Sequence, residues 1–158
     1  MIVIKEDIDV VNRQLDALNL EKNKRSINRK ILRRLGSKAR TKAKQSYRRN
    51  FKKQTGELYK SIKHKLTRNN SVIISPTGGK NMMKGNVLSS GAVIRPKNGR
   101  YLTYQIDGKW VKSRVVVIQG KDWFNGTIDK FMKGSESKKI IEETLFKEVE
   151  RIWNKAGK

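Results

Sequence analysis

Cysteine is absent from this chain of 158 residues, and histidine occurs only once, as His64. A chain without cysteine forms no disulfide and no thiolate-ligated metal site. Proline occurs twice, and no apolar run approaches the roughly 18 residues that span a bilayer. Nothing at Met1 resembles a secretory signal. We therefore expect a single domain made in the cytoplasm that does not span a membrane. Its core is modest because only 35% of the residues are hydrophobic.

Acidic residues are few, and the long middle of the chain has especially few of them. The sequence has 14 Asp or Glu against 38 Lys or Arg, which gives a formal net charge of +24. Residues 22–135 hold 30 of the basic residues and only four acids. Such a field repels copies of itself and attracts polyanions. Nucleic acid, an acidic protein surface and an anionic membrane all fit this charge, and composition does not choose among them.

The scarcity of histidine and of clustered carboxylates argues against catalysis. His64 stands between two lysines in a predicted strand. No carboxylate is spaced from it in a way that indicates a partner to orient the imidazole for catalysis. The four acids of the middle are too widely spaced to hold the metal ion that a nuclease needs. Residues 77–80, Thr-Gly-Gly-Lys, lack the glycine spacing of a phosphate-binding P-loop, and we predict no helix after them. We expect no enzymatic activity, no cofactor and no metal.

A long basic helix is the most unusual predicted element. No proline interrupts 21–53, and the apolar and small residues from Ile27 to Tyr47 form one stripe about a third of the circumference wide. The remaining faces hold 15 Lys or Arg, and no acid follows Glu21. A narrow packing stripe therefore leaves most of the cations facing outward.

Further helices are predicted at both ends of the chain. A stripe over 7–18 predicts a short helix after a start strand at 1–4, and 126–131 predicts a helical piece. Ser135 to about Lys155 is predicted as the C-terminal helix, with Trp153 beside its apolar stripe of Ile141, Leu145, Val149 and Ile152. We interpret all three tryptophans of the sequence as core residues.

The middle of the chain predicts antiparallel strands at 58–67, 71–76, 92–96, 101–106 and 109–118. Asn-Gly at 98–99 and Asp-Gly at 107–108 separate the last three, and such pairs are the strongest short-range hairpin signals. Residues 77–91 carry four glycines without apolar periodicity, which predicts a mobile loop.

The predicted fold class is α+β, an antiparallel sheet of about four strands (a β-meander) packed with a long basic N-terminal helix and a C-terminal helix. We predict a single domain over 1–158. Within it, 1–54 is the helical N-terminal part, 55–124 is the antiparallel sheet with its mobile loop 77–91, and 125–158 is the C-terminal helix.

The basic helix is also the candidate binding surface. Charge runs are usually solvated faces, but 15 cations in 32 residues without an acid exceed ordinary solvation. No aromatic series accompanies them, which argues against recognition of single strands. The backbone of duplex DNA and an acidic protein both remain open as partners. The residues expected to make this contact are Arg33, Arg34, Lys38, Arg40, Lys44, Arg48 and Arg49.

The order of segments resembles a known family. The start strand Ile2–Ile4 and the leucine-spaced segment Val11–Leu18 precede the Lys- and Ala-rich stretch Ser37-Lys-Ala-Arg-Thr-Lys-Ala-Lys44. The segment Thr55-Gly-Glu-Leu-Tyr-Lys-Ser-Ile62 follows. Over residues 1–75 this order resembles the minor tail component family of long-tailed bacteriophages. The family signature falls on Thr55, Gly56, Leu58, Ser61 and Ile62.

Residues 91–124 are more similar to a related phage virion-morphogenesis group. Gln119-Gly-Lys-Asp-Trp-Phe124 stands where that group often has a Pro-Ala-Arg-Pro-aromatic segment, without either proline or the arginine. This departure leaves the exact subfamily and the role of the corner at 119–124 open.

The resemblance implies a structural virion protein at the neck or top of the tail, assembled in the host cytoplasm. Such a tail-completion component would form a ring, with six-fold symmetry, between the head-closure or connector proteins and the tail terminator or tail tube protein. Double-stranded DNA would pass through it. The resemblance implies neither catalysis nor a cofactor. The alternatives are a basic DNA-binding or packaging accessory protein that uses the basic helix alone and, more remotely, a small nuclease.

Overall fold

The computed structural model describes residues 2–4, 21–51 and 56–156, which form five helices and seven strands. The helices are α1 (Glu21–Asn50), α2 (Glu57–Ser61), α3 (Gly79–Ser90), α4 (Asn125–Lys133) and α5 (Ser135–Ala156). The strands are β1 (Ile2–Ile4), β2 (Ile62–Leu66), β3 (Val72–Pro76), β4 (Ala92–Ile94), β5 (Leu102–Ile106), β6 (Lys109–Ser113) and β7 (Val116–Ile118). The α+β class is therefore confirmed. The short helix predicted at 7–18 lies outside the described residues.

The apolar stripe of α1 forms the centre of the core. The stripe packs against the three-stranded sheet on one side and against α4 and α5 on the other. Its buried members are Ile27, Ile31, Leu32, Leu35, Ala39, Ala43 and Tyr47. Each fully buried isoleucine or leucine of the stripe stabilises the fold by about 1.5–3 kcal/mol relative to exposure. The predicted stripe is thus confirmed, and one helix organises the whole body.

Gly36 allows α1 to approach the sheet closely. A Cβ atom at this position would lie 2.6 Å from Cγ1 of Val72 and 3.1 Å from Cδ2 of His64. Any side chain there would push the helix away from β2 and β3. The small residue in the middle of the stripe therefore sets the distance between helix and sheet.

The corner at 119–124 closes the end of the core through an aromatic cluster. Trp123 is 1% exposed, and its ring centroid lies 5.3 Å from that of Tyr47 and 5.2 Å from that of Phe124. Trp110 and Trp153, however, are 71% and 79% exposed. The prediction that the tryptophans are core residues is correct only for Trp123, because the other two lie on surfaces that the body does not cover.

The strands form three small antiparallel sheets rather than one of about four strands. The first has the order β1-β3-β2, and the hairpin between β2 and β3 turns at Asn70, whose φ is 48°. Strands β5 and β6 pair across Asp107-Gly108, as predicted. Strand β4 pairs with β7 and not across Asn98-Gly99, so the predicted meander was wrong at that turn.

Helix α3 replaces the mobile loop that we predicted at 77–91. Glycine disfavours a helix in isolation. Here, however, Gly85 is buried, and a Cβ at Gly85 would lie 3.1 Å from Cγ of Pro76 and 3.8 Å from Cδ1 of Leu58. Tertiary packing on α2 and β3 therefore stabilises a helix that local propensity does not indicate.

Candidate polyanion-binding surface

Eight of the cations of α1 form two rows, and the first row faces α5. Its members recur every four positions, and we call them the paired row: Lys30, Arg34, Lys38 and Lys42. Glu136, in the first turn of α5, lies 2.9 Å from Nζ of Lys38 and 2.7 Å from Nζ of Lys42. Toward the other end, Nζ of Lys30 lies 2.6 Å from Oε2 of Glu148. The paired row therefore connects the two longest helices.

Arg34 occupies the middle of this helix–helix contact. Its Nη1 donates to Oγ1 of Thr144 at 2.7 Å, and its Nη2 lies 3.8 Å from Oε2 of Glu143. Thr144 is buried and donates in turn to the carbonyl oxygen of Ile140. Arg34 and Lys38, both predicted as partner contacts, thus already have partners within the chain.

The lysines of the paired row lower the pKa of Glu136. The largest cause is the hydrogen bond from Lys42, followed by the hydrogen bond from Lys38. Glu136 also lies in the first turn of α5, where the helix dipole favours a negative charge. Its carboxylate therefore remains ionised to lower pH than an ordinary glutamate.

The second row points away from α5, and we call it the open row: Arg33, Arg40, Lys44 and Arg48. Arg33 and Arg48 are exposed, and Arg40 and Lys44 are half-buried, so all four lie outside the core as predicted. Over residues 2–4, 21–51 and 56–156, none of the four forms an ion pair with a carboxylate. The positive charge of these four side chains is therefore not neutralised by a carboxylate within the described residues.

Like charges crowd one another along the open row. The pKa of Lys44 is lowered, first by burial and then by the charges of Arg40 and Arg48. An anion placed over these side chains would favour the charged lysine and relieve the repulsion. The row is thus arranged to gain more from a polyanion than isolated surface cations would.

Tyr59 supports one end of the open row. Nζ of Lys44 lies 4.8 Å from the centroid of its ring, and Cζ of Arg48 lies 4.5 Å from it. Cation–π contacts of this kind contribute about 0.5–1 kcal/mol at exposed sites. Because Tyr59 belongs to α2, the segment 55–62 directly positions two of the cations.

His64 lies beneath this surface as a structural residue. It pairs with Ile74 in the sheet and faces Gly36 of α1. Burial, and then the charge of Arg40, lower its pKa, and its Nδ1 is buried without a hydrogen-bond partner in the described part of the chain. The neutral imidazole is therefore favoured. Lys63 and Lys65, its neighbours in β2, are exposed.

Arg49 belongs to neither row. It lines a cleft of about 460 Å³ between α1, α4 and α5, together with Lys42, Lys130 and Glu136. Of the seven predicted contact residues, four therefore form the open row, two belong to the paired row and one lies at this cleft.

A metal site, a membrane span and a phosphate-binding loop can also be compared with the described residues. No three His, Asp or Glu side chains in the described ranges come close enough together to hold a metal ion. No described helix is both long and apolar enough to cross a bilayer. Helix α3 begins at Gly79, so the expectation that no helix follows Thr77-Gly-Gly-Lys80 was wrong. The missing glycine spacing still distinguishes this turn from a P-loop.

Comparisons with protein-family models, with curated proteins and with solved structures find no match for this chain. Its function is therefore inferred from its own residues and surfaces.

Proposed function

We propose that this chain is a structural virion protein of a tailed bacteriophage. It acts as a tail-completion or neck component and joins the head-closure complex to the tail tube as a ring. The observation that carries this proposal is the segment 55–62, which resembles the signature of the minor tail component family. Thr55 lies outside the described residues, and the other signature positions have defined structural roles.

Each described signature residue helps to turn the chain from α1 into the sheet. Gly56 has φ of 72°, a left-handed conformation that glycine adopts without strain. Leu58 is 5% exposed and Ile62 is fully buried, so both belong to the core. Oγ of Ser61 donates to the carbonyl oxygen of Leu58 at 2.8 Å and ends the short helix α2. These roles explain why each of these residue types occurs at its position in the segment.

The open row supports a position near DNA or near an acidic neck protein. It presents four cations without carboxylate partners in the described residues, beside a tyrosine that orients two of them. In a ring these cations would repeat around the assembly. Such a repeated positive field attracts the DNA backbone or an acidic protein face without reading a sequence.

Particles assembled without this chain test the proposal. A phage that lacks the coding sequence should accumulate DNA-filled heads and completed tails that are not joined, visible in electron micrographs of the lysate. Expression of the chain in the host should restore joined particles. Normal infectious particles in a clean deletion would rule the proposal out.

A DNA-binding or packaging accessory protein is the second candidate, and the open row is the observation that favours it. Such a protein would bind duplex DNA as a monomer, with an affinity that falls steeply with salt because each neutralised phosphate releases a counterion. The measurement is the dissociation constant for duplex DNA across a salt series. Tight, strongly salt-dependent binding by a monomer, with normal joining in the deletion phage, would favour this candidate over the neck protein.

A further inference from the structure

Residues 92–118 form a separate structure, which we call the β-arm. It consists of the ladder β4–β7 and the hairpin β5–β6. At its base the backbones of Gly91 and Gly120 touch, because a Cβ on Gly120 would lie 2.6 Å from the nitrogen of Gly91. In the described part of the chain, neither ladder packs extensively against a helix or against the first sheet. The β-arm is thus held at its base and extends from the body.

The β-arm exposes apolar side chains that an isolated protein would normally cover. Val93 and Val117 face each other across the ladder and are 61% and 64% exposed, and Trp110 of the hairpin is 71% exposed. Two-stranded ladders are marginally stable alone in water. Clustered exposed apolar residues mark interaction surfaces. The β-arm therefore offers surfaces on which a partner could dock.

The charge of the β-arm identifies the chemistry of that partner. Its residues include six Lys or Arg and one acid, Asp107. Lys112 shares a face of the hairpin with Trp110, and Lys109 stands beside the turn. A complementary surface must therefore combine exposed aromatic side chains with carboxylates.

The outer side of α5 has this combination, and we call it the α5 stripe: Glu142, Phe146, Glu150 and Trp153. Phe146 and Trp153 are 70% and 79% exposed, and their spacing of seven places them on one side of the helix. Within the described residues, neither Glu142 nor Glu150 forms an ion pair. The opposite side of α5 already packs on α1 through residues such as Ile141 and Leu145. The α5 stripe is thus an acidic, aromatic surface in a strongly basic protein.

We propose that the β-arm of one copy of this chain docks on the α5 stripe of another copy. Within one chain the two surfaces are both exposed and therefore do not cover each other. The proposed contact thus joins two copies. Trp110 packs against Phe146 and Trp153, and Lys112, on the same face of β6, lies against the carboxylates of the stripe. Lys109 points to the other face, but it stands at the tip of the hairpin, from which its long side chain reaches Glu142 or Glu150. The two surfaces differ, so the contact is head-to-tail, and repeated head-to-tail contacts close into a ring or continue as a filament. This inference deepens the ring of the proposed function and does not depend on the role in the virion.

Charge reversal on each side tests the contact in the purified chain. Lys109→Glu with Lys112→Glu should weaken self-association about tenfold, the equivalent of ~1.4 kcal/mol. Glu142→Lys with Glu150→Lys should weaken it similarly. The variant with all four changes should regain most of the wild-type association. Sedimentation equilibrium measures the dissociation constants, and circular dichroism confirms that each variant is folded.

The matched control is Lys63→Glu with Lys65→Glu, two exposed strand lysines of β2. This pair changes the net charge by the same amount as the arm pair, so it corrects for overall self-repulsion. It should leave the dissociation constant within about twofold of wild type, because surface pairs away from a contact contribute little. Trp110→Ala, which carries no charge change, should weaken association about thirtyfold, because the proposed contact buries Trp110 at its centre.

Three results would overturn the inference. The first is a wild-type chain that stays monomeric. The second is a variant with all four charge reversals that associates no better than either double variant. The third is a Lys63→Glu, Lys65→Glu control that weakens association as much as Lys109→Glu with Lys112→Glu. The failure is distinguishable from failure of the proposed function. A monomeric chain that still joins heads to tails would refute the docking contact alone, whereas an associating chain that is dispensable for joining would refute the function alone.

Discussion

The helical body and the β-arm use similar residues in opposite ways. In the body, the apolar stripe of α1 is buried and the paired row has carboxylate partners on α5. In the β-arm, Val93, Trp110 and Val117 are exposed, and the lysines of β6 have no carboxylate partner in the described residues. The body buries its apolar residues within one chain, whereas the β-arm leaves apolar side chains uncovered that the proposed docking would bury. Stability and the proposed self-association thus depend on different regions.

The largest expected effect is on the free energy of unfolding, and it distinguishes a residue of the body from a residue of similar size in the β-arm. Leu35→Ala should lower the free energy of unfolding by about 2–5 kcal/mol, because Leu35 is fully buried and the change leaves a cavity. Ile106→Ala should change it by less than ~0.5 kcal/mol, since Ile106 is 52% exposed. Urea denaturation of both variants measures the difference. Equal losses would show that the β-arm belongs to the cooperative core and would break the comparison.

A second prediction concerns the approach of α1 to the sheet. Gly36→Ala should destabilise the fold by about 1–2 kcal/mol, because overpacking against Val72 outweighs the better helix propensity of alanine. Gly79→Ala is the control, since a Cβ at Gly79 meets no atom within 4 Å. The control should be neutral or stabilising by up to ~1 kcal/mol. A neutral Gly36→Ala, measured by the same denaturation, would mean that helix and sheet are less tightly packed than described.

A third prediction separates the two rows of α1. Reversal of the whole open row to glutamate should change the thermal midpoint little, because the relief of like-charge repulsion offsets the lost cation–π contacts with Tyr59. The same reversal should abolish incorporation into particles. Reversal of Lys38 and Lys42 should lower the midpoint, because both would then face Glu136. Differential scanning calorimetry and immunoblots of purified particles measure the two outcomes. Normal incorporation of the open-row variant would show that the open row is only a solvated face.

The smallest expected effect is on the dependence of stability on pH. The pKa of His64 in the folded chain lies below its usual value of about 6.5, so the unfolded chain binds a proton more readily. Stability should therefore fall as the pH drops below about 6.5, until the folded histidine is protonated too. His64→Gln should remove this part of the slope in denaturation curves. An unchanged slope would show that His64 titrates alike in both states.

Glu136 affects the pH dependence of stability at lower pH than His64 does. Its pKa in the folded chain is lowered below the usual value of about 4.5. Its contribution is therefore complete above about 4.5 and is lost as the pH falls through the lowered value. Glu136→Gln should flatten the acid limb below about 4.5 and leave the His64 region unchanged.

Elements with strong local signals were predictable from the sequence. The uninterrupted periodicity of α1 and α5 and the Asp107-Gly108 turn between β5 and β6 were all confirmed. In each case the signal lies within the element itself, because helix periodicity and turn geometry are local properties. The position of the open-row cations outside the core was predictable for the same reason, since it follows from the angular position of residues on a single helix.

Features that depend on distant contacts were not predictable. Helix α3 forms because Gly85 packs on Pro76 and Leu58, although its glycines disfavour a helix locally. Strand β4 pairs with β7, more than twenty residues away, instead of across the adjacent Asn98-Gly99 turn. The seven predicted contact residues likewise could not be divided into rows, because Glu136 meets Lys38 and Lys42 from almost a hundred positions away in the chain.

The joining of isolated heads to isolated tails tests the central claim most directly. DNA-filled heads and completed tails from the deletion phage are mixed with the purified chain, and joined particles are counted in electron micrographs. We predict that the wild-type chain restores joined, infectious particles in proportion to the amount added, and that the open-row variant restores none. If heads and tails join equally well without the chain, it is not a neck component of the virion.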